Sequence, residues 1–354
     1  MTTDVIIDKQ GRLGRIRLNR PKAIHALNHA MCLAILDALA EFAGDDDIAA
    51  VVFDHAPSPD GDPKLSRGFC AGGDIRMLAE SGQGGGSEAR AFFHAEYRMN
   101  HALFTYAKPT IAIMDGITMG GGVGISLPCR YRVATENTRF AMPETGIGLF
   151  PDVGGGWYLS RLSGRVGMYL ALTGARLDGA ECLALGLATH YLATEAVPVA
   201  IEALHDSFDL FATLKSHGTG APIARIVEER RHIERLFGGD SVAAIIAALD
   251  ADATDWAAKQ AATLRTKSPL SMAVAFRQLR EGADMPDFAA EMAQEYAIGA
   301  RMVHTHDFIE GVRALIVDKD NAPVWDPATP EGVSDAMLDA IFAPLPEGEG
   351  WTPA

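Results

Sequence analysis

Short apolar runs alternate with helix-length amphipathic stretches over the first two hundred residues, and then the runs stop. Val5-Ile6-Ile7 and Gly14-Arg15-Ile16-Arg17-Leu18 read as the arms of a hairpin, with Lys9-Gln10-Gly11 at its turn. Asn28 is placed to cap a helix reaching about Phe42, with Met31, Ile35, Leu36 and Leu39 on one face. Residues 48–53 form a continuous apolar run, the pattern of a strand buried on both faces. Residues 88–106, 165–172 and 178–185 read as helices, and 109–114, 131–134, 139–141 and 188–192 as strands. This alternation predicts an α/β class. After about Pro222 the pattern is helical throughout, over 223–237, 241–249, 254–266, 270–281 and 288–302. The predicted organisation is a core over 1–205 that carries the site, followed by an all-helical region over 206–354. The polar loop 57–66 is expected to be exposed and the glycine-rich segment 81–87 to be mobile. The tail over 344–354 is expected to fray.

Charge narrows the classes of partner. Lys and Arg number 31 against 46 Asp and Glu, a net charge of −15. A nucleic-acid binder draws its affinity from cations on phosphates, so that class is set aside. A small phosphorylated ligand needs only a few local cations or a helix N-terminus. Met1-Thr2-Thr3-Asp4 carries no leader pattern, and the longest mostly apolar stretch, 110–128, contains Asp115 and many glycines, so no membrane span is expected. Cys32, Cys70, Cys129 and Cys182 lie far apart with no C-x-x-C, which suggests neither zinc nor a redox pair and a reducing, cytoplasmic setting. His304-Thr305-His306-Asp307 has no further ligand set beside it, so no metal is expected.

Three segments carry chemistry. Thr118-Met119-Gly120-Gly121-Gly122-Val123-Gly124-Ile125-Ser126 follows a strand and opens an apolar helical stretch. Bare backbone N–H groups at such a helix start favour a developing negative charge, the raw material of an oxyanion hole, although tight helix packing also uses glycine. The spacing fits neither a P-loop, nor a dinucleotide fingerprint, nor a nucleophile elbow. The second segment, Gly68-Phe69-Cys70-Ala71-Gly72-Gly73-Asp74-Ile75-Arg76, also opens a short helix, and Cys70 within it reads as a small buried apolar residue rather than a nucleophile. The third runs from Met142-Pro143-Glu144 to Asp152 and the glycines 154–156, with two carboxylates in a nearly uncharged stretch. Buried, they would titrate in the range a general acid or base needs. Alternatively, Asp152 caps a helix starting near Val153 and Glu144 lies on the surface.

In this order and spacing the segments, together with Asn19-Arg20-Pro21-Lys22-Ala23, closely resemble the enoyl-CoA hydratase/isomerase (crotonase) superfamily over roughly residues 4–215. The run from Phe140 to Gly156, Phe92-Phe93-His94-Ala95-Glu96-Tyr97, and the late segment 307–320 resemble its 3-hydroxyisobutyryl-CoA hydrolase branch. The resemblance implies a spiral of ββα turns followed by helices, an acyl-CoA substrate with no separate cofactor, and a place in valine catabolism. It implies an oxyanion hole from the N–H groups of Gly73 and Gly121, with Gly120 beside them. Glu144 would attack the thioester or activate water, Asp152 would orient the reacting groups, and Glu96 would bind a 3-hydroxyl. Lys22 and Arg76 would face the CoA phosphates, the backbone at Ala23, His25 and Ala71 the adenine and pantetheine, and Asp74 would join the substrate contacts. Oligomeric state stays open, a homo-oligomer included. Hydratases of the superfamily carry a second Glu where this sequence has Gly124, and Asp152 stands where they have Gly, which argues for a different reaction on the same activated thioester. The alternatives are a hydratase or isomerase acting through Glu144 alone and a non-catalytic CoA-binding protein.

Overall fold

β1 (Val5–Gln10) and β2 (Leu13–Leu18) form the expected antiparallel hairpin. The computed structural model describes residues 2–58 and 68–354, so most of the loop expected over 57–66 lies outside the described residues. Beyond the hairpin, β3 (Ala50–His55), β5 (Thr110–Met114), β7 (Tyr131–Ala134) and β9 (His190–Tyr191) continue one sheet in parallel, in the order β1-β2-β3-β5-β7-β9. Residues 50–53 are apolar without a break because this sheet has a core on each face. Val51 and Phe53 join the large core, whereas Ala50 and Val52 join a smaller one closed by Val197, Ile201 and Leu204.

A second, three-stranded parallel sheet holds β4 (Gly68–Cys70), β6 (Ile117–Met119) and β8 (Arg139–Ala141). Each follows a strand of the large sheet, so the chain winds as a spiral that adds one strand to each sheet per turn. Parallel neighbours end on the same side. The segments that follow β4, β6 and β8 therefore emerge together, and they are the three segments that carry chemistry. Periodicity does not reveal β4 and β6, because three residues bounded by glycine or a turn show no alternation.

The N-terminal helices are α1 (His29–Ala43), α2 (Ile75–Gln83), α3 (Ser87–Phe104), α4 (Gly121–Ser126), α5 (Gly155–Ser160), α6 (Val166–Thr173), α7 (Gly179–Ala184) and α8 (Val197–Leu204). The predicted cap of α1 is present: Asn28 Oδ1 accepts from the Met31 N–H at 2.9 Å, a bond worth about 1 kcal/mol. Residues 81–83 complete α2 rather than forming a mobile loop. Gly82 packs against the backbone of Val303, and its carbonyl lies 2.8 Å from His304 Nδ1.

After α9 (Leu210–Ser216), the C-terminal region holds α10 (Ile226–Leu236), α11 (Val242–Ala251), α12 (Asp255–Leu264), α13 (Pro269–Gly282), α14 (Phe288–Met302), α15 (His306–Val312) and α16 (Asp335–Phe342). No described residue after Tyr191 is in a strand. α13 packs on α5 and α6, α14 on α3, and α15 on α2. One apolar cluster runs from Ile16 through Phe92 and Phe150 to Ile298, Phe308 and Trp351. The tail does not fray: Trp351 is buried, and Arg98 donates to the Thr352 carbonyl at 2.8 Å and to its hydroxyl at 3.0 Å. Among the described residues no helix is long and apolar enough to cross a membrane.

Candidate active site

The segments after β4, β6 and β8 enclose a cavity of about 60 Å³, lined by Gly73, Gly120, Gly121, Glu96, Glu144 and Asp152 together with Phe92, Phe93 and Leu149. The two glycine loops touch. Gly120 has φ 47°, a backbone that glycine takes freely, and a side chain there would meet the Gly72 Cα and Glu144 Oε1 at 3.3 Å. A Cβ on Gly121 would stand 2.5 Å from Glu96 Oε1. The Leu27 ladder takes the Gly72 carbonyl and the Asp74 N–H, which turns the Gly73 N–H away from it. The Gly121 N–H lies in the first turn of α4, where no carbonyl four residues back receives it.

Three carboxyls converge on this cavity, and burial raises all of them. Glu144 opens a 3₁₀ turn, Glu144–Ile147, that Thr145 pins to α6 through its hydroxyl on the Leu172 carbonyl at 3.2 Å. Glu144 is buried rather than on the surface, and its Oε2 has no hydrogen-bond partner among the described residues. Burial, then the nearby Asp152, holds its pKa well above the usual carboxylate range. Asp152 does not cap a helix with its side chain; α5 starts at Gly155 with Gly154 as its cap. Its Oδ2 accepts instead from the Tyr97 hydroxyl at 3.0 Å. Burial pushes its carboxyl up to about 6, while the Tyr97 bond works in the other direction. Glu96, one residue before Tyr97 on α3, is buried with no partner for Oε1 among the described residues, and burial followed by Asp152 raises its pKa strongly.

The position of the hydratases' second Glu is filled. A Cβ on Gly124 would lie 2.6 Å from Val153 Cβ and 2.7 Å from Asn100 Nδ2. No side chain can enter there without moving α3 or the 151–156 loop.

Of the other residues expected at the site, only Ala71 lines the cavity. Lys22 and Arg76 are exposed and form no ion pair among the described residues. Asp74 caps α2 through the Met77 N–H and binds Arg20 Nη2 at 3.1 Å, so its carboxylate is engaged in structure rather than in the cavity lining. His25 is buried with φ 56°; its Nδ1 accepts from the Arg20 N–H at 3.1 Å, its carbonyl faces the Cys70 thiol, and burial lowers its pKa to about 4. Ala71 lines the cavity, and its N–H bonds the Ile24 carbonyl. Ala23 closes the turn on the Arg20 carbonyl. Cys70 is buried, with its thiol pushed up to about 12 by burial, and offers no nucleophile.

A family model described as enoyl-CoA hydratase/isomerase matches residues 13–342. The chain belongs to that family. Among its relatives is a protein named "3-hydroxyisobutyryl-CoA hydrolase, mitochondrial" from Danio rerio, 42% identical and covering 98% of this chain and 91% of that protein. A protein of the same name from Xenopus tropicalis is 41% identical, covering 97% and 89%. A crystal structure described as a carnitinyl-CoA dehydratase from Mycobacterium thermoresistibile superposes with a TM-score of 0.91 at 38% identity, over 98% of both chains.

Within this family member, four site neighbours escaped sequence reasoning: Tyr97, Asn100, Gln278 and Glu295. A usable signal existed for the last. Glu291 and Glu295 stand four apart in α14, on the same face as Phe288 and Met292, where a helix surface would not place two acids.

Proposed function

We propose that the protein hydrolyses a short 3-hydroxyacyl-CoA thioester, 3-hydroxyisobutyryl-CoA foremost, to the free hydroxy acid and CoA. One observation carries the reading: Glu144 and Asp152 share the cavity while Val153 and Asn100 fill the space of a hydratase's second carboxylate. The names of the curated relatives support it.

In this reading the thioester oxygen accepts from the N–H groups of Gly73 and Gly121. Removing one such donor typically costs about 2.7–4 kcal/mol of barrier. Glu144 either attacks the carbonyl carbon itself or takes a proton from a water that does. In the first route the new C–O bond makes a mixed anhydride as the C–S bond breaks, and water then cleaves the anhydride to free the acid and Glu144. In the second the new C–O bond is to the water itself as the C–S bond breaks. In both the water that is consumed supplies the proton that converts the departing thiolate to CoA thiol. Asp152, held by Tyr97, orients the attacking oxygen and the acyl hydroxyl. Glu96 Oε1, with no partner among the described residues, awaits that hydroxyl, and a buried polar group left unmet discriminates against plain acyl-CoAs. Lys22 and Arg76, exposed and without an ion pair among the described residues, suit the CoA phosphates.

The test is thiol release from 3-hydroxyisobutyryl-CoA, crotonyl-CoA and isobutyryl-CoA by wild type and Glu144→Ala. Release from the hydroxyacyl thioester alone, abolished by the substitution, is the expected result. Loss of crotonyl-CoA absorbance without thiol would instead assign a hydratase, the reading that the name of the dehydratase structure favours.

A further inference from the structure

The 151–156 loop that carries Asp152 is gripped from its far side by two C-terminal helices. Glu295 Oε2 accepts from the Gly154 N–H at 2.8 Å, and its Oε1 from the Gly156 N–H at 3.2 Å. Gln278 Nε2 donates to Glu295 Oε1 at 3.0 Å and to the Pro151 carbonyl at 2.8 Å. Asp152 and Val153 are therefore the only residues between two anchored points. Val153 has φ 55°, a conformation that a β-branched residue holds only where its surroundings impose it. Its side chain meanwhile fills the gap beside Gly124.

The grip is made of costly groups. Glu295 and Glu291 are both buried, one helical turn apart, and neither Glu291 oxygen has a hydrogen-bond partner among the described residues. Two buried carboxyls oppose folding unless something returns the cost, and apolar side chains of similar size would pack the α13–α14 contact at least as well. What an apolar pair could not do is accept two backbone N–H groups of the strained loop.

We propose that Glu295, braced by Gln278, is a positioning residue for Asp152, holding the 151–156 loop so that the Asp152 carboxyl meets both the Tyr97 hydroxyl and the cavity. Glu295 is not among the residues that line the cavity, and its hydrogen bonds to the loop are to backbone N–H groups. The inference rests on the hydrolase reading for its kinetic consequence but not for its geometric one.

The experiment compares Glu295→Gln and Gln278→Ala, each alone and combined with Asp152→Asn, in thiol release from 3-hydroxyisobutyryl-CoA, and includes the crystal structure of each folded single variant. A small displacement of a reacting group costs up to about 100-fold, so each single variant is expected to lose roughly 10- to 100-fold in kcat with KM within about twofold. In the Asp152→Asn background the further loss is expected to shrink to about twofold, because residues acting through one group are not additive. In the crystal the Tyr97–Asp152 bond is expected to open from 3.0 Å to beyond hydrogen-bonding range. Equal losses in both backgrounds, or an unchanged kcat, would overturn the proposal. So would an undisturbed Tyr97–Asp152 bond, and that result decides even if the wild type releases no thiol and the hydrolase reading fails. Should Glu295→Gln not fold, Gln278→Ala carries every arm, since it removes one anchor and leaves the carboxyls in place.

Discussion

The Tyr97 hydroxyl donates to Asp152 Oδ2 at 3.0 Å, joining the middle of α3 to the loop before α5. Glu96 and Tyr97 of α3, Glu144 from its 3₁₀ turn and Glu295 of α14 are the titratable groups that surround Asp152. The hydroxyl stabilises the carboxylate, so removing it raises the Asp152 pKa above about 6. Tyr97→Phe is expected to move the acid limb of the kcat–pH profile to higher pH. At pH 6 kcat falls roughly 2- to 10-fold, the equivalent of one hydrogen bond of about 0.5–1.5 kcal/mol. A limb that stays in place would separate Asp152 from the rate.

Asp152 also costs stability. Its folded pKa stands above the ordinary 3.8, so the unfolded chain releases its proton first as pH rises. The cost is absent below pH 4, grows up to about pH 6 and is fully present at pH 7. Asp152→Asn can keep the Tyr97 bond while removing the charge. It is expected to gain on the order of 1–3 kcal/mol at pH 7, little at pH 4, and to lose most thiol release. Chemical denaturation at the two pH values reads the difference.

Glu144→Gln preserves shape and removes the base or nucleophile. Thiol release is expected to fall about 100- to 10,000-fold, with CoA product binding by calorimetry unchanged. Equal loss of binding would mean that the turn Glu144–Ile147 had moved.

Restoring the hydratases' second carboxylate by Gly124→Glu is expected to fail. The new side chain would start 2.6 Å from Val153 and 2.7 Å from Asn100. Overpacking of this kind costs about 1–3 kcal/mol or more, so the melting temperature drops and crotonyl-CoA is not hydrated. Gain of hydration would show that the cavity re-forms around a different loop.

Local chemistry was legible in the sequence where residue identity alone decides it. The helix opened at the glycines 120–122 and the Asn28 cap follow from what those residue types do in a short window, whereas the burial of Glu144 stayed open between two readings because it depends on α6 packing over the turn. Sheet membership was not legible for β4 and β6, whose three residues carry no period. The polar 81–83 stretch ends a helix because α15 and Val303 cover it from 220 residues away, and no local pattern records that. Trp351 was hidden in the same manner: a Pro- and Gly-rich tail reads as loose until a partner on α3 is known. Glu295 and Gln278 escaped because their work is done on the backbone of another element.

The pairing of Arg98 with Thr352 spans 254 residues of chain. At about 5–20 residues per second, a ribosome takes roughly 13–50 seconds to make that stretch. Throughout that interval the helix bearing Glu96 and Tyr97 exists without its last neighbour, and the surface of α3 that Trp351 covers at His101 stays bare. The newborn chain thus carries an uncovered apolar face on α3 for most of its synthesis, a window in which aggregation competes with folding.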